Sequence, residues 1–367
     1  MSPIYLKNEN YLPHQSVIIT KKRNIDDFNL NKILKAYLAR EKNIGDDSAI
    51  WEIEIHPTNF CNLKCNGCSY SSRNDGTTIN FNELINTVNY YNQFDVRSVF
   101  FSGGGDPLCW NKYEAFLKKI ERKQWKLGIS TNLYNISSIK NIISEFDIYQ
   151  IHVLGFDKES LINECKVDAF DRIDKNYKLL FEKKEDRQIV AMKFLINNNN
   201  YNLIDRYLDY IYRFNCDSIV IKIEQDFLTN NNVFDEANYN YLRDVIKTHK
   251  IVRKFDFIID NLDDDLFYKP PPKECYLANS SMYSLIRANG DIYPCIASTY
   301  SNENSCADIF SIAEKKNRSN RYTSNMLLKK CPLKACRHYR FNLCISDYLA
   351  GIKRNEVIKL IADPVLI

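Results

Sequence analysis

The sequence is poor in glycine, with 10 in 367 residues, where average usage is about 7%. Positions without a Cβ are therefore few, and seven of the ten glycines (Gly67, Gly103, Gly104, Gly105, Gly128, Gly155 and Gly290) fall in segments singled out below. Long apolar runs are lacking as well. None approaches the roughly 18 residues that a membrane-spanning helix needs, since residues 189–196 are interrupted by Lys193. Residues 1–21 lack the apolar core of a secretion signal. Charge of one sign is also missing: 50 Lys and Arg against 46 Asp and Glu leave a net +4, with the two signs interleaved. No basic footprint for nucleic acid results. The expectation is a cytoplasmic protein that engages neither membrane nor nucleic acid.

Cysteine, by contrast, is plentiful. Of 12 cysteines, nine lie in two groups: Cys61, Cys65 and Cys68 near the front, and Cys275, Cys295, Cys306, Cys331, Cys336 and Cys344 at the back. Disulfides are rarely stable in a reducing compartment, so thiols concentrated like this point to metal or cluster ligation.

Short apolar runs predict strands at residues 51–56, 96–102, 125–130, 148–153, 189–195 and 218–223. Amphipathic stretches at 82–91, 112–122, 136–146, 169–182 and 201–214 predict helices between them. Such alternation implies an α/β fold with a parallel sheet, open or curled into a partial barrel, whose reactive groups sit on loops at the C-terminal strand ends. Residues 1–47 read as a polar extension with one helix at 30–40 and no legible role. The core domain is placed at 48–268, closing with a strand at 255–260. A run of prolines at 270–272 marks the boundary to a cysteine-rich tail, 269–367. In that tail Asn289-Gly290 predicts a hairpin joining 283–286 to 291–293.

The segment Cys61-Asn-Leu-Lys-Cys65-Asn-Gly-Cys68 directly follows the first predicted core strand. Three thiolates on one loop can bind three irons of a cubane and leave the fourth iron open, the arrangement that catalysis requires. Half of a zinc site is the rival, but zinc motifs pair thiols as C-x2-C, which the C-x3-C-x2-C triplet does not match well. This triplet after the first strand of a six-unit βα chain resembles the radical S-adenosylmethionine (SAM) superfamily over about residues 51–223. The resemblance implies a partial (β/α)6 barrel and a [4Fe-4S] cluster whose open iron chelates the methionine moiety of SAM. It further implies reductive cleavage to a 5′-deoxyadenosyl radical that abstracts a substrate hydrogen, with an electron donor such as a flavodoxin or ferredoxin.

Further segments resemble that family's cofactor pocket. Ser102-Gly103-Gly104-Gly105-Asp106 is similar to its Gly-Gly-Glu motif and has no phosphate-loop pattern, although a plain tight turn would also use glycines. Asp106 replaces the glutamate, so backbone contacts carry over more safely than side-chain ones. Ser130 and Asn132 in Gly128-Ile-Ser130-Thr131-Asn132 are candidates for the cofactor, a helix N-cap being the alternative. Asp157 in Gly155-Phe-Asp157 is another candidate. Two features depart from the family. Gly67 stands where an aromatic residue usually precedes the third cysteine, and Tyr70 could fill that space. The arginine that often follows the fourth strand is missing, leaving Lys158 or Lys166 as substitutes.

Cys275-x14-Gly290-x4-Cys295, followed by Cys331, Cys336 and Cys344, resembles the SPASM and twitch extensions of the family. That resemblance implies an auxiliary iron–sulfur cluster. Two fully ligated cubanes need eight thiolates and the tail has six, so one cluster is expected, on Cys275, Cys295 and two of Cys331, Cys336 and Cys344. A structural zinc suits four thiolates too. Cys109 could return a hydrogen atom to a substrate radical or simply pack as a small apolar residue; Cys165 and Cys216 carry the same two readings. No protein side chain is assigned a catalytic role. Three functions compete: modification of a ribosomally made peptide by crosslinking, thioether formation or epimerisation; the same radical chemistry on a small metabolite such as a sugar, aminoglycoside or nucleotide; and a non-catalytic Fe–S or zinc scaffold.

Overall fold

The structure is a computed structural model that describes residues 3–7, 16–21, 52–71, 75–94, 96–122, 125–224, 234–260, 262, 275, 283–296, 299 and 307–309. The helix expected at 30–40, the prolines at 270–272, and Cys306, Cys331, Cys336 and Cys344 lie outside them. Twelve strands occur among the described residues: β1 (Ile4–Lys7), β2 (Ser16–Thr20), β3 (Glu52–Ile55), β4 (Ser98–Phe101), β5 (Lys126–Thr131), β6 (Ile148–His152), β7 (Ile189–Ile196), β8 (Ser218–Ile223), β9 (Phe257–Asp260), β10 (Tyr283–Ile286), β11 (Asp291–Tyr293) and β12 (Ala307–Asp308). The α-helices are α1 (Phe81–Tyr91), α2 (Tyr113–Lys119), α3 (Lys158–Cys165), α4 (Phe170–Lys183), α5 (Ile204–Tyr212) and α6 (Glu236–Thr248). The fold class is α/β, with a parallel-rich sheet that does not close.

Two compact units form, and neither follows the chain linearly: residues 45–192 group with 283–323, and residues 1–44 group with 193–282 and 324–367. In the first unit β3, β4, β5 and β6 pair in parallel, in register Ile53↔Val99, Val99↔Leu127 and Ile129↔Tyr149. β10 adds in parallel on the other side of β3, with Ser284 opposite Ile53. The expected hairpin β10–β11 is present, closed by the Gly290 N–H to the Arg287 carbonyl with Gly290 at φ 91°. Alternation on β3 buries Ile53 and Ile55 and turns Glu52 and Glu54 to the opposite face. Beneath the buried face Phe101 stacks on Trp110 at 5.8 Å and meets Tyr113 and Phe116 edge-on at 5.0 and 5.3 Å. Edge-to-face contacts of this kind add to the area that aromatic rings bury.

In the second unit β2 pairs antiparallel with both β8 and β9, and β1 runs parallel to β9. The N-terminal extension thus supplies two strands that its polar composition does not suggest. All five residues of β2 are buried.

The helix expected at 136–146 is replaced by two 3-10 turns, Ile136–Ile139 and Ile143–Glu145. Its β-branched and serine residues have low helix propensity, and the Ser138 hydroxyl binds the Asn135 carbonyl, a local bond that competes with a helix. Helix α3, which periodicity does not announce, starts on a capping box: Asp157 accepts from the Ser160 N–H at 2.8 Å and Ser160 Oγ accepts from the Asp157 N–H. No described helix is long and apolar enough to cross a membrane.

Candidate cluster and cofactor site

Residues 56–71 leave the C-terminal end of β3 and carry Cys61, Cys65 and Cys68, the first two partly exposed and the third exposed. Two neighbours hold this loop. On one side lies the glycine run after β4. The Gly105 N–H binds the Thr58 carbonyl at 2.8 Å and the Asp106 N–H binds the Phe60 carbonyl at 3.1 Å. A Cβ on Gly105 would lie 1.9 Å from the Phe60 carbonyl oxygen, and one on Gly104 would lie 2.5 Å from Asn59 Oδ1. What approaches these glycines so closely is the chain's own cysteine loop. Gly103 differs, because a Cβ there meets nothing nearer than 3.5 Å.

On the other side lies the C-terminal end of α3. Lys64 N–H donates to the Cys165 carbonyl at 3.0 Å, and Asn66 N–H to the Glu164 carbonyl at 2.8 Å. Asn66 Nδ2 donates to the Asn163 carbonyl at 2.9 Å. The last carbonyls of a helix lack partners within it; here the cysteine loop supplies them.

Burial pushes the Cys61 thiol up to about 12, with the Asp106, Cys65 and Cys109 charges adding to it. Burial raises Cys68 as well, whereas the hydrogen bond shared with Cys165 draws Cys65 down. Binding iron to these thiols therefore displaces protons. Three thiols on one loop held from both sides match the donor set of a cubane with an open corner. Among the described residues no three Cys, His, Asp or Glu side chains converge where one metal ion could sit. A cubane does not ask for that convergence, since it gives each thiolate its own iron.

Asp106 points into the fold. It accepts from the Leu108 N–H at 2.9 Å, the Thr131 hydroxyl at 2.9 Å and the Asn132 N–H at 2.8 Å, tying the glycine loop to the end of β5. Burial still raises its carboxyl to about 6 against these bonds. Asn132 Oδ1 accepts from the Tyr134 N–H, and Asp157 caps α3. Ser130 occupies the polar face, where its hydroxyl lies 2.8 Å from His152 Nε2 and 3.0 Å from Gln150 Oε1. Lys158 pairs with Asp168 at 2.7 Å on the surface, and Lys166 Nζ donates to the Asn163 carbonyl. Cys275 and Cys295 are partly exposed.

Sequence reasoning missed His152, Gln150 and a carboxylate hub on the same face. Their signal was the alternation on β6, where Tyr149 and Ile151 are buried and Gln150 and His152 face the other way. The hub is Glu54, which accepts from His56 Nε2 at 3.0 Å and from the hydroxyls of Ser102 and Tyr283. The His56 ring meets Tyr70 edge-on at 5.6 Å. Burial raises the Glu54 carboxyl, but the hydrogen bond and charge of His56, with Ser102 and Tyr283, outweigh that and hold it at about 2. A carboxyl with a depressed value stabilises the fold above its ordinary value of 4.5, and the contribution is lost as pH falls toward 2. The shift is worth about 3 kcal/mol at neutral pH. Chemical unfolding of the Glu54→Gln variant should show a loss of this order at pH 7 that shrinks by pH 3. A constant deficit across that range would contradict the assignment.

The family model of the Radical SAM superfamily matches residues 55–220, a span that contains the cysteine loop, the glycine run, Ser130 and α3. That span of the chain matches a radical SAM domain. No curated protein matches the sequence. Solved structures show the same fold. Streptococcus suis SuiB bound to precursor peptide SuiA is 17% identical with a TM-score of 0.60, the match covering 85% of this chain and 74% of that one. A tagged form of anSMEcpe with bound AdoMet is 15% identical at TM-score 0.56, covering 86% of this chain and 96% of that one. Native anSMEcpe with bound AdoMet and the Cp18Cys peptide is 15% identical at TM-score 0.55, covering 85% and 99%. Identities this low establish a shared fold and nothing finer.

Proposed function

We propose that this chain is a radical SAM enzyme that modifies a ribosomally made peptide. The observation that carries the proposal is the loop of Cys61, Cys65 and Cys68, held between the glycine run and the end of α3 at the C-terminal end of a parallel strand. When bound and reduced, the [4Fe-4S] cluster would supply one electron to the sulfonium C–S bond of SAM, which would break to methionine and a 5′-deoxyadenosyl radical. The chain's own residues hold and orient these groups. Cys61, Cys65 and Cys68 are the cluster ligands. The open side of Gly103 admits the cofactor to the backbone, and Ser130, backed by His152 and Gln150, offers polar contacts to its carboxylate or ribose. Asp106, Asn132 and Asp157 shape the pocket through the loops they brace. One auxiliary cluster is assigned to Cys275, Cys295 and two of Cys331, Cys336 and Cys344, and a flavodoxin or ferredoxin to delivery of the electron. A peptide substrate is favoured because two structures of this fold, SuiB and anSMEcpe, hold peptides.

The anaerobically reconstituted chain should consume SAM under reducing conditions and release 5′-deoxyadenosine, detected by chromatography. Absence of that product, or of labile sulfide, would leave only a scaffold. Deuterium carried from a labelled candidate peptide into 5′-deoxyadenosine supports the peptide reading; transfer only from a labelled metabolite overturns it.

A further inference from the structure

Cys165 lies 100 residues beyond the cysteine triplet, yet its sulfur is 3.7 Å from Cys65 Sγ. The contact is built rather than incidental. Cys165 is the last residue of α3 and is fully buried. Its own carbonyl accepts from Lys64, and the preceding carbonyl accepts from Asn66, so the residues on either side of Cys65 are fastened to the helix end that presents the thiol. Lys166 turns the chain away in a left-handed conformation, φ 57°. Gly155 lets the strand-to-helix connection lie against α3, since a Cβ there would sit 2.6 Å from the Leu161 backbone nitrogen.

From this geometry we infer that Cys165 is a positioning residue whose S–H donates a hydrogen bond to the Cys65 thiolate and thereby raises the reduction potential of the cluster that Cys65 ligates. The inference rests on the cluster assignment above. Once Cys65 is an iron-bound thiolate it has no proton to give, so the one proton between the two sulfurs belongs to Cys165. A donor to a ligand sulfur stabilises the more negative, reduced state, and hydrogen bonds to sulfur are among the determinants of cluster potentials. Cys61 and Cys68 meet backbone N–H groups, of Leu63 and of Tyr70 and Ser71, whereas Cys65 meets a side-chain thiol that substitution can remove; Cys109, the other thiol beside the loop, pairs with the Asn62 and Asn135 side chains. Cys165 therefore bears on how readily the cluster is reduced.

The test uses the full chain, reconstituted anaerobically, with Cys165→Ala, Cys165→Val and Cys165→Ser. Iron and labile sulfide are counted first, and a redox titration is then followed by electron paramagnetic resonance. The front cluster is identified by the signal that changes when SAM is added. Alanine and valine, which cannot donate, should both shift the midpoint to more negative potential at full iron and sulfide content, while serine, which keeps a donor, should stay nearer the wild type. Valine fills the space that alanine leaves, so agreement between the two separates the lost donor from altered packing. Unchanged midpoints in both non-donor variants overturn the inference, as does a serine variant shifted as far as alanine. If the wild type itself holds no labile sulfide, it is the underlying cluster assignment that fails.

Discussion

Alanine at Cys61, Cys65 or Cys68 should abolish 5′-deoxyadenosine formation, a loss well beyond about 100-fold, because changes behind metal ligands alone cost about 10–100-fold. Each variant should also lose the iron and sulfide of one cluster while keeping its fold, since all three side chains are at least partly solvent-accessible and none belongs to the apolar core. Alanine at Cys216 provides the contrast. That thiol is buried, and burial raises it to about 12; its loss should lower stability and leave the iron count untouched. Cys275→Ala separates the two ends of the chain. If the tail holds a cluster of its own, this variant loses part of the iron and retains the ability to cleave SAM. Full iron in all three front variants would remove the basis of the proposed chemistry.

The core strands were legible because each crosses from a polar to an apolar environment within a few residues. β8 and the hairpin β10–β11 lie where the apolar runs and the Asn-Gly turn put them. The triplet and the glycine run were legible for a different reason, since scarce residue types at fixed spacing carry information that periodicity does not. Strand β2 was hidden. Its five residues are set in a polar segment, and their partners, Ile221 and Asp260 opposite Val17, lie 204 and 243 positions away. No local pattern reveals a pairing that distant. Asp106 shows a further limit: its place in the motif is visible, but the bonds that turn its carboxylate toward Thr131 and Asn132 exist only once β4 and β5 are adjacent. The meeting of Cys65 and Cys165 is of the same kind.

The glycine run offers the second large effect, and it separates two reasons for having glycine. At Gly105 the constraint is internal. A methyl group placed 1.9 Å from the Phe60 carbonyl oxygen and 2.3 Å from its carbon has backbone as its neighbour, which cannot swing aside as a side chain could. Gly105→Ala must therefore push the segment 58–60 away from the glycine loop, breaking the 2.8 Å bond to the Thr58 carbonyl and moving the cysteine that follows. Overpacking of this kind costs about 1–3 kcal/mol and occasionally more. We expect a lowered unfolding midpoint and loss of most of the bound iron, with 5′-deoxyadenosine formation falling in proportion. At Gly103 there is room, because an added methyl would make only ordinary contacts with the Gly105 carbonyl oxygen at 3.5 Å and the Tyr70 ring at 3.8 Å. Gly103→Ala should keep its stability and its iron. If SAM lies against that backbone, its affinity should still fall, measured by equilibrium binding to the reconstituted protein. Equal SAM affinity in wild type and Gly103→Ala would mean that the cofactor does not use this face of the loop, and that the glycine run serves the cysteine loop alone.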